Sequence, residues 1–242
     1  MFKKEISVFI DVGAHRGEAL EEALRPIYGI DKFLIIEPST KGFNKIKTFK
    51  DRRLKIFNFA VLDVETKMNL YAAGSVGGGI YQDKVRHWEY TESVMVKKFS
   101  DFVLKNTNPE DEIFIKINAE GSEYKILKDL LFVKDRKIKS ILLSVDIDKV
   151  PSLKKYHSDF SKMVKSYPYA IKVRTHKDVG IAINSWLVEL GLKRKLNLGN
   201  YLRDQFRVYL PLDRNVLRII KPIIPRKLWI KFALKIGPNR FK

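Results

Sequence analysis

Residues 9–20 read FIDVGAHRGEAL, and this stretch decides the fold class. An apolar run ends at Asp11, glycines follow at Gly13 and Gly17, and helical spacing begins near Glu18. A glycine turn between a strand and a helix lets a ligand approach the backbone and presents it to the helix N-terminus. The same glycines also suit a plain tight turn, so this stretch alone leaves both interpretations open.

Apolar, β-branched runs of strand length recur along the chain, with helical spacing between them. Runs that are apolar on both faces suit a parallel sheet covered by helices on each side. The pattern predicts a doubly wound α/β fold with a mostly parallel, seven-stranded sheet. Its last two strands, residues 169–175 and 206–212, are expected to form an antiparallel edge. The other predicted strands are residues 6–12, 33–36, 54–62, 113–117 and 141–145.

The spacing of the first turn distinguishes between cofactors. The dinucleotide fingerprint G-x-G-x-x-G needs a middle glycine, and His15 stands in that place, which argues against NAD. Asp11, Gly13 and Gly17 instead match the acid-and-glycine turn of enzymes that bind S-adenosylmethionine, whose ammonium an acid can bind. The second strand ends in LIIEPS, where Glu37 can accept both hydroxyls of a ribose. A solvent-facing carboxylate at a strand end is the alternative.

The length and composition of the chain limit the kind of protein that it can be. The chain has 242 residues, enough for one α/β domain but cramped for two. It has no cysteine, which excludes disulfides and thiolate metal sites and fits a reducing compartment. No apolar run is long enough for a membrane span, and no cleavage site of a signal peptide follows the N-terminus. The sequence therefore predicts a cytoplasmic protein.

The basic charge is concentrated near the C-terminus. From Lys193 to Lys242 there are 14 basic residues and two acids, so this segment carries +12 of the formal +19. We divide the chain into a domain at 1–212 and a basic amphipathic helical tail at 213–242. In that tail Lys227, Lys231 and Lys235 recur every four residues beside a wide apolar remainder that includes a tryptophan. This pattern predicts peripheral association with an anionic membrane surface, and docking on the domain or on a partner chain is the alternative.

Residues 8–145 resemble the FkbM family of S-adenosylmethionine-dependent methyltransferases in four motifs that occur in order along the chain. These motifs are FIDVGAHRG, LIIEPS, NFAVLD and FIKINAEGSEYKIL. The resemblance implies the class I methyltransferase fold and O-methylation of sugars, polyketides or other small metabolites. It also implies adenine contacts near Ala60 and Val61. The predicted cofactor-binding residues are Asp11, Gly13, Ala14, His15, Gly17, Glu37, Pro38, Ala60 and Val61.

The last motif holds the predicted catalytic residues Lys116, Asn118 and Glu120. A hydroxyl is a poor nucleophile until a base takes its proton, and Glu120 is the candidate base or acceptor anchor. Lys116 is expected to pair with Glu120 or to stabilise developing alkoxide charge. The family usually has Asp where Asn118 stands, and an amide is a poor ligand for a hard cation, so we predict no metal site. Glu123 suits a structural role at the start of the next helix.

Two further stretches hold candidate substrate residues. A glycine-rich loop leads to aromatic side chains that suit stacking on a sugar ring, although they could equally pack on the core. The segment after the fifth predicted strand has acids and a histidine that could face the acceptor, although solvated loop residues are commoner. The candidates are Tyr81, His87, Trp88, Asp146 and His157.

Three functions stay open at this stage. The first is O-methylation of a hydroxyl on a sugar, a glycan or another small metabolite. The second is RNA methylation, favoured by the net charge but opposed by its concentration in the tail and by the absence of an [N/D]-P-P-[aromatic] motif. The third, suggested by Asn118, is a catalytically weak module that binds S-adenosylmethionine and associates with membranes.

Overall fold

The computed structural model describes residues 6–84 and 90–192. The predicted strand at 206–212, the tail at 213–242 and the boundary between the two proposed units lie outside the described residues. In the described residues, no helix is both long and apolar enough to cross a membrane. The strands are β1 (Ser7–Val12), β2 (Lys32–Ile36), β3 (Leu54–Phe57), β4 (Ala60–Leu62), β5 (Thr66–Tyr71), β6 (Thr91–Lys98), β7 (Glu112–Ile117), β8 (Lys137–Leu143) and β9 (Ala170–Val173). The helices are α1 (Glu18–Ala23), α2 (Thr40–Ile46), α3 (Phe99–Asn106), α4 (Glu123–Leu130), α5 (His157–Lys165) and α6 (Val179–Glu189), with short 3₁₀ turns at Pro26–Tyr28, Ile147–Lys149 and Pro151–Tyr156.

The fold is α/β and doubly wound, and its central sheet has the strand order β3-β2-β1-β7-β8-β9. Every neighbouring pair in this sheet runs parallel. The order reverses between β1 and β7, and loops diverge there at the carboxyl ends of the strands to leave a crevice. The fold therefore places its crevice directly after the two motifs that contain Asp11 and Lys116.

Both faces of the sheet are covered, as the apolar runs predict. Neighbouring residues Phe9 and Ile10 point to opposite faces, and both are fully buried. Phe9 packs in one cluster with Leu20 of α1 and Trp186 of α6. On the other face, Ile10 belongs to a cluster that includes residues of α3, α4 and α5. Burial on both faces explains why the strand has no alternation of apolar and polar residues.

The structure corrects one expected strand. The single strand expected at 54–62 is two strands, because Asn58 donates its amide hydrogens to the carbonyls of Glu37 (3.0 Å) and Pro38 (2.9 Å) and holds a bend. After the bend, β4 joins a second sheet of order β4-β6-β5, in which β5 and β6 are antiparallel. At the other end, the strand expected at 169–175 is β9, which pairs with β8 in parallel. Its expected antiparallel partner at 206–212 lies outside the described residues, so the antiparallel edge stays a prediction.

Candidate active site

A cavity of about 370 Å³ lies at the carboxyl ends of the strands, in the crevice where the strand order reverses. Its volume falls within the range of small-molecule sites, roughly 300–1,000 Å³. Seven of the nine predicted cofactor residues line it, namely Gly13, Ala14, His15, Glu37, Pro38, Ala60 and Val61. The three predicted catalytic residues, Lys116, Asn118 and Glu120, also line it. The structure thus brings together residues from four separate stretches of sequence.

The turn after β1 approaches the loop after β7 too closely for any side chain at Gly13. Gly13 has φ +73°, and a Cβ there would lie 2.0 Å from the carbonyl oxygen of Asn118. The backbone N–H groups of Gly13 and Ala14 both donate to the carbonyl of Ile36, at 3.0 and 3.2 Å. These contacts tie the ends of β1, β2 and β7 into one wall of the cavity.

Gly17 supports the turn from outside the cavity. It has φ +93° at the N-cap of α1, and a Cβ would meet the Phe49 ring at 2.9 Å. His15, between the glycines, also has a positive φ of 54°. Non-glycine residues in this region are strained, and such strain clusters at functional sites.

Glu37 is buried at the end of β2 and holds the first turn. Its Oε2 accepts a hydrogen bond from the backbone N–H of His15 at 2.7 Å. Its Oε1 accepts from the N–H of Ser39 at 2.9 Å and from the Ser39 hydroxyl at 2.6 Å. Burial raises the pKa of the Glu37 carboxyl, and these hydrogen bonds oppose the rise. The carboxylate is thus held rigidly at the cavity wall.

Lys116 and Asp11 form a buried ion pair. They are register partners on β1 and β7, so their side chains share one face of the sheet. Lys116 Nζ lies 2.8 Å from Asp11 Oδ1 and donates to the carbonyl of Gly13 at 2.7 Å. Burial raises the pKa of the Asp11 carboxyl, and the Lys116 ammonium opposes the rise. Asp11 is fully buried and does not line the cavity.

The expected pairing of Lys116 with Glu120 is wrong, because Glu120 pairs with Lys84. Lys84 Nζ contacts Glu120 Oε2 and donates to the carbonyl of Gly77 at 2.6 Å. This ammonium joins the glycine-rich loop after β5 to the loop after β7. Glu120 has φ 53°, so it is the second strained residue on the cavity wall. Sequence reasoning missed Lys84, and its only signal was its place at the end of the glycine-rich loop.

Asn118 has an unused acceptor. Its backbone N–H donates to the carbonyl of Val12 at 3.0 Å, which continues the ladder between β1 and β7. Its side-chain Oδ1 is buried and accepts no hydrogen bond from the described residues. Buried polar atoms are almost always satisfied, so one left open at a cavity indicates a ligand position or ordered water.

Glu123 is structural, as predicted. Its carboxylate is fully buried and accepts hydrogen bonds from the N–H of Gly121 at 3.0 and 3.1 Å and of Ala119 at 3.2 Å. It therefore fixes the loop that holds Glu120. Burial raises the pKa of Glu123 to about 7, against the opposing effect of the backbone donors.

The predicted substrate residues separate into different surroundings. Asp146 lines the cavity and pairs with Lys149, which also lines it. His157 does not line it, and its Nδ1 lies 3.4 Å from Asp148 Oδ1. Tyr81 packs against the apolar core. His87 and Trp88 lie outside the described residues.

Sequence reasoning also missed three cations on the wall, Lys149, Arg174 and Lys177, whereas the glycine-rich loop that it noted does line the cavity. Arg174 and Lys177, just after β9, line the cavity beside the glycines at 74 and 77–79. Nothing in the sequence marks Arg174 and Lys177 as site residues, since they lie far along the chain from the other motifs. Within residues 6–84 and 90–192, no cluster of three His, Asp or Glu side chains could hold a metal ion.

Comparisons with known proteins identify relatives. A model of the family described as methyltransferase FkbM domain matches residues 11–165. The crystal structure of methyltransferase FkbM from Methylobacillus flagellatus KT is similar at 18% identity, with a TM-score of 0.37. The similarity covers 55% of this chain and 31% of that one, so the matched part spans about a third of the relative's length. A search of curated proteins found no match.

Proposed function

Because the chain belongs to the FkbM methyltransferase family, we propose that it methylates a hydroxyl oxygen of a sugar, a glycan or another small metabolite with S-adenosylmethionine. The observation that carries this proposal is the cavity at the strand-order reversal, which holds Glu37 at one wall and Glu120 at another. Family membership supports methyl transfer as the reaction. The choice of an oxygen acceptor is our own.

The residues present fit the cofactor. Glu37 Oε2 accepts a single hydrogen bond and retains capacity for ribose hydroxyls, while Ala60 and Val61 supply apolar wall for adenine. Asp11 lies behind the wall, so the unpartnered Oδ1 of Asn118 is the acceptor we assign to the ammonium of the methionine end. When bound, S-adenosylmethionine supplies a methyl group on a positively charged sulfur.

Glu120 is the residue to which we assign proton removal from the acceptor. Its Oε2 contacts Lys84, which leaves Oε1 to accept a hydrogen bond from a hydroxyl. Glu123 fixes the loop backbone through Gly121, and Lys84 holds the Glu120 carboxylate, so the base is positioned before the substrate arrives. Lys116 is a positioning residue in this scheme, because its ammonium binds Asp11 and the turn at Gly13.

Labelled S-adenosylmethionine, incubated with a panel of glycans, lipid-linked sugars and RNA, tests the proposal by mass spectrometry of the products. Glu120→Gln should lower transfer by about 100-fold or more, the typical contribution of a general base, and leave cofactor binding unchanged. Glu110→Gln is the matched control, because Glu110 is exposed before β7 and does not line the cavity. Unchanged turnover in Glu120→Gln removes Glu120 from the mechanism. Methylated RNA, or cofactor binding with no transfer, would favour one of the alternative functions instead.

We also propose that the basic segment at 213–242, outside the described residues, brings the enzyme to an anionic membrane surface. Each cation near such a surface contributes about 1 kcal/mol, so replacing Lys227, Lys231 and Lys235 with Gln should weaken binding by about 100-fold. Cosedimentation of the full chain with vesicles rich in phosphatidylserine measures this loss. Equal binding to phosphatidylcholine vesicles contradicts the proposal.

A further inference from the structure

Among residues 6–84 and 90–192, two cations on the cavity wall have no anionic partner. Arg174 follows β9 directly and is half-buried, while Lys177 is exposed three residues later. Both line the cavity, and neither forms an ion pair with a described residue. Lys149 differs from them, because Asp146 already neutralises it. The cavity thus has, at the β9 end, two positive charges that no acid in the described part of the chain neutralises.

Acidic and basic side chains lie at different ends of the cavity, apart from Glu120 and Asp146, which pair with Lys84 and Lys149. Glu37 and Glu18 line it near β1 and β2, at the opposite end from β9. Four strand spacings separate β2 from β9 in the sheet order, which is about 19 Å. Glu120 follows β7, between these two ends. Arg174 follows β9, which is two strand spacings from β7, or about 10 Å. If Glu37 holds the ribose, Arg174 therefore lies on the far side of Glu120 from the cofactor. These cations therefore lie on the acceptor side of the proposed base.

We propose that Arg174 and Lys177 bind a phosphate or carboxylate group of the acceptor. This inference rests on the proposed function, and it narrows the acceptor to an anionic sugar or metabolite. A guanidinium presents paired N–H donors that match the oxygens of either anion, and the lysine adds a second charge. The anion anchors the acceptor at the β9 end, while its hydroxyl reaches Glu120.

The carboxylate of the cofactor is the other possible source of the anion. The two sources differ in what happens when the cations are removed. An acceptor subsite leaves the affinity for the cofactor unchanged, whereas a cofactor subsite weakens it. Measurement of both affinities in the same variants separates them.

The test uses the full chain and ligand-observed NMR with glucose 1-phosphate, glucuronate and neutral glucose, with and without S-adenosylhomocysteine. The wild type should bind an anionic sugar at least tenfold more tightly than glucose. Arg174→Gln with Lys177→Gln should abolish this preference, since even one charge-assisted hydrogen bond accounts for about tenfold. Lys162→Gln with Lys165→Gln, which removes the same charge from exposed positions on α5, should retain it.

Three results would overturn the inference: no preference for anions in the wild type, an equal loss in the α5 control, or a loss of S-adenosylhomocysteine affinity in place of sugar affinity. The proposed function fails separately. If the wild type does not bind S-adenosylhomocysteine but still binds anionic sugars through Arg174 and Lys177, the anion site stands and the methyltransferase proposal does not.

Discussion

Replacing Lys116 with methionine should destabilise the protein in a way that depends on pH. Asp11 would then lie fully buried without an opposite charge, and removing one member of a buried pair typically costs about 3–5 kcal/mol. The folded variant can escape this cost by keeping Asp11 protonated. In the folded variant the pKa of Asp11 would then exceed its ordinary value of 3.8. Above pH 3.8 the unfolded chain would therefore bind fewer protons than the folded protein.

The size of the effect follows from that difference. Each pH unit above 3.8 costs about 1.36 kcal/mol while folded Asp11 stays protonated. The upper limit is therefore about 4 kcal/mol at pH 7 and about 1.6 kcal/mol at pH 5. Stability is lost as the pH rises and recovered as it falls. Asp11→Asn added to Lys116→Met removes the buried charge and should restore most of the loss at pH 7.

Urea denaturation followed by circular dichroism at both pH values measures these free energies of unfolding. Lys139→Met is the matched control, because Lys139 pairs with Glu112 across neighbouring strands with side chains 50% and 32% exposed. Such a surface pair contributes about 0–1 kcal/mol. If Lys116→Met costs no more than Lys139→Met, or costs the same at pH 5 and pH 7, the buried pair does not have the energetic role assigned to it.

Three further changes test other parts of the site. Gly13→Ala and Gly191→Ala both place alanine at φ +73°, but a Cβ meets a backbone oxygen at 2.0 Å in the first and nothing within 4 Å in the second. The positive φ should lower the free energy of unfolding of both variants by about 1–2 kcal/mol. Any further loss in Gly13→Ala, measured from urea midpoints, reports the clash of the added Cβ with the Asn118 carbonyl. The folded pKa of Glu123 is raised from 4.5 to about 7, so the folded wild type binds more protons than the unfolded chain over that interval. The free energy of unfolding of the wild type should therefore fall by about 3 kcal/mol from pH 4.5 to pH 7, relative to that of Glu123→Gln. Parallel plots of unfolding free energy against pH for the two proteins would contradict this. Lys84→Met should speed amide exchange in residues 74–79 by about tenfold in mass spectrometry, since it releases the glycine-rich loop from Glu120; unchanged exchange would show that other contacts hold the loop.

Local sequence predicted much of the central sheet. Apolar runs without alternation identified β1, β2 and β7 to within a residue or two, because burial on both faces requires apolar side chains at every position. The bend at Asn58 and the second sheet were not predictable in this way. They depend on hydrogen bonds from Asn58 to the carbonyls of Glu37 and Pro38, about 20 residues away in sequence.

The sequence by itself determined that the turn after β1, the end of β2 and the loop after β7 reach the cavity wall, because carboxyl ends of parallel strands meet at one edge and the motifs follow those ends directly. Only the tertiary structure decided how the charges pair. Register places Asp11 and Lys116 on the same face of neighbouring strands, and the glycine-rich loop brings Lys84 to Glu120 across 36 positions of sequence. Ion pairs depend on distance and direction in space, and spacing along the chain specifies neither for residues on separate elements.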